Sequence, residues 1–134
     1  MIAVDTSVVV AAFASWHEGH ESATSALSRS PRIPAHVLIE TYSVLTRLPV
    51  PHRAPAALVV TFLHERFPQP PLILPPREHV QVLEQAARLG ISGGSIHDAL
   101  IAATVVHAGA RLLTRDQRAV ATYERLQVRY EMLA

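Results

Sequence analysis

A chain of 134 residues that is 49% hydrophobic is sized for one domain, residues 1–134, with enough core to fold without staples. The absence of cysteine excludes disulfides, thiolate zinc sites and thiol nucleophiles. A net charge of +1, from twelve basic and eleven acidic residues, is too balanced to mark a nucleic-acid binder by itself.

All twelve basic residues are Arg. Arg suits bidentate phosphate contacts, but an all-Arg set reads first as the base composition of the gene. No stretch has the basic start and unbroken apolar run of a signal peptide, and none reaches the about 20 apolar residues of a membrane span. The expected location is cytoplasmic, away from any membrane.

Ile2 to Asp5 is a short apolar run and reads as a buried strand. A helix follows over Ser7 to Ala14 with Ser7 as its N-cap. Trp16, His20, Ala23 and Leu27 recur at helical spacing, so a second helix runs to about Ser28. Ile33 fits a very short strand. His36 to Leu48 is a helix with Val37, Thr41, Val44 and Leu48 on its apolar face and Pro49 as its stop. Ala56 to Phe67 repeats the pattern through Leu58, Val59, Phe62 and Leu63. Leu72 to Leu74, between prolines, reads as a strand. Glu78 to Leu89 is a helix with Val80, Leu83 and Ala87 as its apolar face, ended by Gly90. Ser95 to Ala108 is apolar on nearly all sides and is expected to be central. Arg111 to Thr114 is a strand, Asp116 to Arg125 a helix, and Val128 to Tyr130 a last strand. Short apolar strands alternating with amphipathic helices predict an α/β domain with a mainly parallel sheet between helical layers.

Ligands in such sheets sit beyond the carboxyl ends of the strands. Asp5 ends the first strand and Asp116 lies two residues past Thr114, at the end of another. The chain has only three Asp, and the third, Asp98, opens the most apolar helix. Each acid also has an ordinary structural reading. Asp5-Thr6-Ser7 ends a strand and caps a helix, and Ser95-x-x-Asp98 matches a capping box. Asp116 reads as an N-cap and Glu40 as an exposed helix residue. Taken together these readings weaken, because caps alone do not require Asp each time. A carboxylate opening an apolar helix is expensive unless paired or bound to a cation.

Convergence of these acids has physical consequences. Two carboxylates about 4 Å apart repel by about 4 kcal/mol at an effective dielectric near 20. Several together take up protons or bind a cation. Oxygen ligands without Cys favour magnesium or manganese. Such an ion polarises a phosphodiester and lowers the pKa of a bound water, which is nuclease chemistry.

Asp5-Thr6-Ser7, Glu40 on the helix after Pro34, the run His97-Asp98-Ala99-Leu100-Ile101-Ala102-Ala103-Thr104, and Leu113-Thr114-Arg115-Asp116 resemble the signature blocks of PIN-domain ribonucleases. The resemblance is closest to the VapC-type toxins of type II toxin–antitoxin pairs and covers essentially the whole chain. It implies a Rossmann-like three-layer α/β/α sandwich and a magnesium- or manganese-dependent endoribonuclease that cleaves RNA by metal-activated water. It also implies a homodimer and a cognate VapB-type antitoxin occupying the active-site groove. Carried over by position, Asp5, Asp98 and Asp116 bind metal, Asp116 directly or through water. Glu40 completes the catalytic acids and orients the attacking water. Thr114, with Thr6 or Ser7, supplies hydroxyls that fix carboxylate rotamers.

Other sites are less favoured. His17 and His20 stand in His-Glu-Gly-His, which is not the His-Glu-x-x-His of zinc hydrolases. His97 abuts Asp98 but points to a different helix face. Gly90 to Gly94 lacks a phosphate-loop pattern, and no Gly-x-Ser-x-Gly elbow is present. Arg115 and Arg118 flank Asp116 and suit either RNA phosphates or solvent. A phosphohydrolase with Asp5 as nucleophile would carry an acid two residues on, where Ser7 stands, and a catalytic Lys, which the chain lacks. The remaining alternatives are a PIN-fold RNA-processing nuclease outside a toxin–antitoxin pair and a non-catalytic RNA- or protein-binding relative. The latter predicts a missing acid, and none is missing.

Overall fold

A computed structural model describes residues 1–134. Strand β1 (Ile2–Val4) is followed by α1 (Thr6–Phe13), α2 (His20–Leu27), α3 (Ala35–Thr46), α4 (Ala56–Arg66), α5 (Pro76–Leu89) and α6 (Ser95–His107). Strand β2 (Arg111–Thr114), a 3-10 turn over Gln117–Ala119, α7 (Val120–Arg125) and β3 (Tyr130–Met132) complete the chain. The sheet has the order β1-β2-β3 and is parallel throughout, in the expected three-layer α/β/α class. It widens beyond β1 through single parallel bridges, Ala3 with Arg32 and Pro34 with Leu72. The expected strands at Ile33 and at Leu72 to Leu74 are thus reduced to one bridge each. Prolines flank both segments and have no N–H to extend a ladder.

β2 is buried at Leu112, Leu113 and Thr114, as a central parallel strand must be. Val4 pairs with Leu113 in register, so β1 and β2 end at the same edge of the sheet. That register sets Asp5 beside the residues that follow Thr114, and Asp5 N–H donates to the Leu113 carbonyl at 3.2 Å.

Four expectations need correction. Asp5, not Ser7, caps α1; its carboxylate accepts from Val8 N–H and Ser7 lies inside the helix. The Asp116 to Arg125 helix begins as a 3-10 turn capped by Asp116. The last strand starts at Tyr130 rather than Val128. Gln127 takes a left-handed conformation (φ 60°) and Val128 N–H closes back on the Tyr123 carbonyl, so both finish α7 first. On α5 the buried residues are Val82 and Ala86, whereas Val80 and Leu83 are 57% and 60% exposed. Both faces of α5 carry apolar residues, so periodicity alone does not identify the one that packs on α6. The C-terminus of α5 is as expected, with Gly90 in the left-handed region at φ 71°.

Leu112 has no exposed surface and stands in the middle strand. Leu112→Ala is expected to cost about 2–5 kcal/mol, measured as an earlier urea midpoint with an unchanged slope.

A four-carboxylate cleft as the candidate active site

Asp5, Glu40, Asp98 and Asp116 line one cleft of about 700 Å³ at the carboxyl edge of the sheet. β1 delivers Asp5 and the turn after β2 delivers Asp116. Glu40 comes from the middle of α3, and Asp98 from the first turn of α6. The capping-box reading of Asp98 does not apply. Gly94 is the N-cap of α6 and no side chain caps that helix, so Asp98 is left to face the other acids.

Asp5 is the anchor, at 2% exposure. Its Oδ1 accepts from Ser7 Oγ at 2.6 Å and from Val8 N–H at 3.4 Å. Its Oδ2 accepts from Thr114 Oγ1 and from the Tyr123 hydroxyl, the latter at 2.8 Å. Burial pushes the Asp5 carboxyl above its ordinary range, and these donors pull the other way. Thr114 Oγ1 also accepts from Asp116 N–H at 3.0 Å, and Ser7 Oγ accepts from Arg115 N–H at 2.8 Å. The Thr6 hydroxyl donates to Glu40 Oε1. All three hydroxyls singled out in the sequence therefore touch a cleft carboxylate.

Asp98 is pushed up to about 6, first by burial and then by the negative charges of Asp116, Glu40 and Asp5. This repulsion is the signature of converging acids. Positive charge in the cleft is limited. Arg115 and Arg118 line it, with Arg118 Nε 3.6 Å from Asp116 Oδ1 and its side chain almost wholly exposed. The donor set is oxygen-only and short of compensating cations, which fits a hard divalent ion.

Sequence reasoning missed Tyr123. It is fully buried, and burial with the Asp5 charge raises its hydroxyl so that it stays protonated as a donor. The signal was available, because a tyrosine on a buried helix face needs a partner for its hydroxyl. The cleft also takes in His17 and Glu18. His17 and His20 do not form a metal pair. His17 Nδ1 accepts from Gly19 N–H, and His20 Nδ1 lies 2.9 Å from the Ala11 carbonyl. His97 points away from the cleft, as expected, and meets His36.

The PIN-domain family model matches residues 2–125. The chain is a PIN domain of the VapC type. It is 49% identical to Ribonuclease VapC40 of Mycobacterium tuberculosis, over 99% of both chains. Ribonuclease VapC27 of the same species is 38% identical over 95% of this chain and 93% of that relative. Among solved structures, the Sarcin-Ricin loop cleaving toxin VapC20 of M. tuberculosis superposes with a TM-score of 0.72 at 22% identity, covering 91% of this PIN domain and 95% of that chain. FitAcB from Neisseria gonorrhoeae gives 0.70 at 18% identity, covering 97% and 96%. These two likenesses establish the fold.

Tyr123→Phe removes one donor from a buried carboxylate and is expected to cost about 1–2 kcal/mol of stability, read by chemical denaturation. A second expectation follows from Asp98. Between about pH 4 and 6 the folded chain holds a proton that the unfolded chain releases, so the metal-free protein loses stability as pH rises through that window. Asp98→Asn should abolish this loss, about 1 kcal/mol after solvent screening of a half-exposed group, and raise the metal-free Tm at pH 7 by about 4 °C. A mutant that melts below wild type at pH 7 would count against clustering of the acids.

Proposed function

We propose that this PIN domain is a magnesium- or manganese-dependent endoribonuclease acting as the toxin of a VapBC-type pair. The observation that carries the reading is the raised Asp98 carboxyl facing three further acids in one open cleft. The relatives named as ribonucleases, which match nearly end to end, support the activity.

In this reading Asp5, Asp98 and Asp116 hold the ion. When bound, the ion makes water a better nucleophile at neutral pH and offsets charge on the phosphodiester oxygens. Asp5 is held in one rotamer by Ser7, Thr114 and Tyr123, so the ligand set is preorganised. Glu40, fixed by the Thr6 hydroxyl, orients the attacking water. Arg115 and Arg118 at the rim meet the RNA backbone. The oxygen of water bonds to phosphorus, the phosphodiester P–O bond breaks, and the leaving oxygen takes up a proton.

A VapB-type antitoxin is the proposed partner, occupying the groove. VapBC2 from Rickettsia felis bound to a DNA fragment from their promoter has the same fold, at TM-score 0.66 and 15% identity, which supports a paired arrangement. A homodimer in the cytoplasm completes the proposal; no helix is long and apolar enough to cross a membrane. A non-catalytic role is disfavoured because all four acids are present and converge.

Purified chain, free of antitoxin, is expected to cleave total bacterial RNA with magnesium or manganese and not with EDTA. Asp98→Asn should lose about 100-fold or more. Folded wild type that leaves RNA intact under both metals would sink the reading for that RNA pool.

A further inference from the structure

His36, Glu40 and His97 bring one donor atom each to within 4.8 Å of the others. His36 and Glu40 stand at i and i+4 on α3, one above the other on the same face. His97 reaches them from the first turn of α6. His36 Nε2 lies 3.0 Å from His97 Nδ1, and the two rings are parallel within 2°. Glu40 Oε2 lies 4.0 Å from His36 Nε2. Two imidazole nitrogens on a tetrahedral zinc, each about 2.0–2.1 Å from it, stand about 3.3 Å apart. The observed nitrogen–nitrogen separation is 3.0 Å, close to that value, and a Glu40 carboxylate oxygen lies within 4.8 Å of both nitrogens.

The two histidines are not part of the acidic cleft. Neither histidine lines that cleft; both line a separate groove of about 270 Å³ with Leu83, Ile96 and Leu100. Glu40 is the hinge between the two. Its Oε1 accepts from Thr6 on the cleft side, while its Oε2 faces the histidines. The chemistry also differs. The four converging acids of the cleft offer only carboxylate oxygens, suited to hard ions, whereas two imidazoles and one carboxylate suit zinc and its first-row neighbours. Three other histidines meet a backbone carbonyl or a single carboxylate. His20 and His79 face backbone carbonyls, and His107 pairs with Glu78.

We propose that His36, His97 and Glu40 form a second metal site, selective for a transition ion such as zinc, which ties α3 to α6 and fixes the outer oxygen of Glu40. Water fills the fourth position. The proposal does not rest on nuclease activity.

The test is a zinc titration of tag-free, metal-stripped full-length chain against a chromogenic chelator, repeated with His36→Ala, His97→Ala and Asp116→Asn. Wild type is expected to take up one zinc with competitive affinity. Each histidine variant should bind at least about 10-fold more weakly, and Asp116→Asn should stay within about twofold. Circular dichroism checks folding, and His97→Gln replaces His97→Ala if the latter unfolds. In the wild type, nitrogen NMR should show two of the eight histidine rings shifting on zinc addition. Unchanged affinity in both histidine variants overturns the site. So does loss of zinc binding in Asp116→Asn alone, which would put the ion in the cleft.

Discussion

A single buried carboxylate organises this domain. Asp5 closes β1, caps α1 and gathers donors from α1, from the end of β2 and from α7. Leaving such a group unpaired would cost several kcal/mol, so each donor is tied to its place. Ser7 and Thr114 then pass the constraint on, because the same hydroxyls accept from the backbone N–H groups of Arg115 and Asp116. The turn that presents Asp116 is thereby built on Asp5.

The cleft runs against the logic of the rest of the fold. A core of aliphatic side chains surrounds a parallel sheet, while four carboxylates face one another at its edge with little counter-charge. Such an arrangement lowers the stability of the protein without ligand and makes it responsive to cations. That is the usual trade between a preorganised site and a relaxed one. The histidines beside Glu40 extend the tension across α3, since one carboxylate serves two environments.

Much of this was legible in the residues. Arg111–Thr114 is the strand that its apolar run announces, and the three aspartates converge as their positions at strand ends and helix starts suggested. Signature blocks carried the assignment of Glu40, which no periodicity distinguishes from a surface residue. What was not legible depended on partners distant in sequence. Val80 and Leu83 look like a packing face until α6 is seen to take Val82 and Ala86 instead. Tyr123 reads as one more core aromatic until its hydroxyl meets a carboxylate at the other end of the chain. Ser7 had the right chemistry for a cap, but Asp5 stood two residues nearer the strand and took that role.

The hydrogen bonds that hold Asp5 span 109 and 118 residues of sequence. Contacts of such separation form late and slowly, because a long loop must close before they reward it. A chain emerging from the ribosome exposes Asp5 long before Thr114 and Tyr123. Until β2 and α7 have both been released, the first carboxylate lacks the Thr114 and Tyr123 donors, and the turn bearing Asp116 has yet to be made. The cleft is therefore assembled only once β2 and α7 have joined β1, and a copy that stops short of α7 carries no complete site.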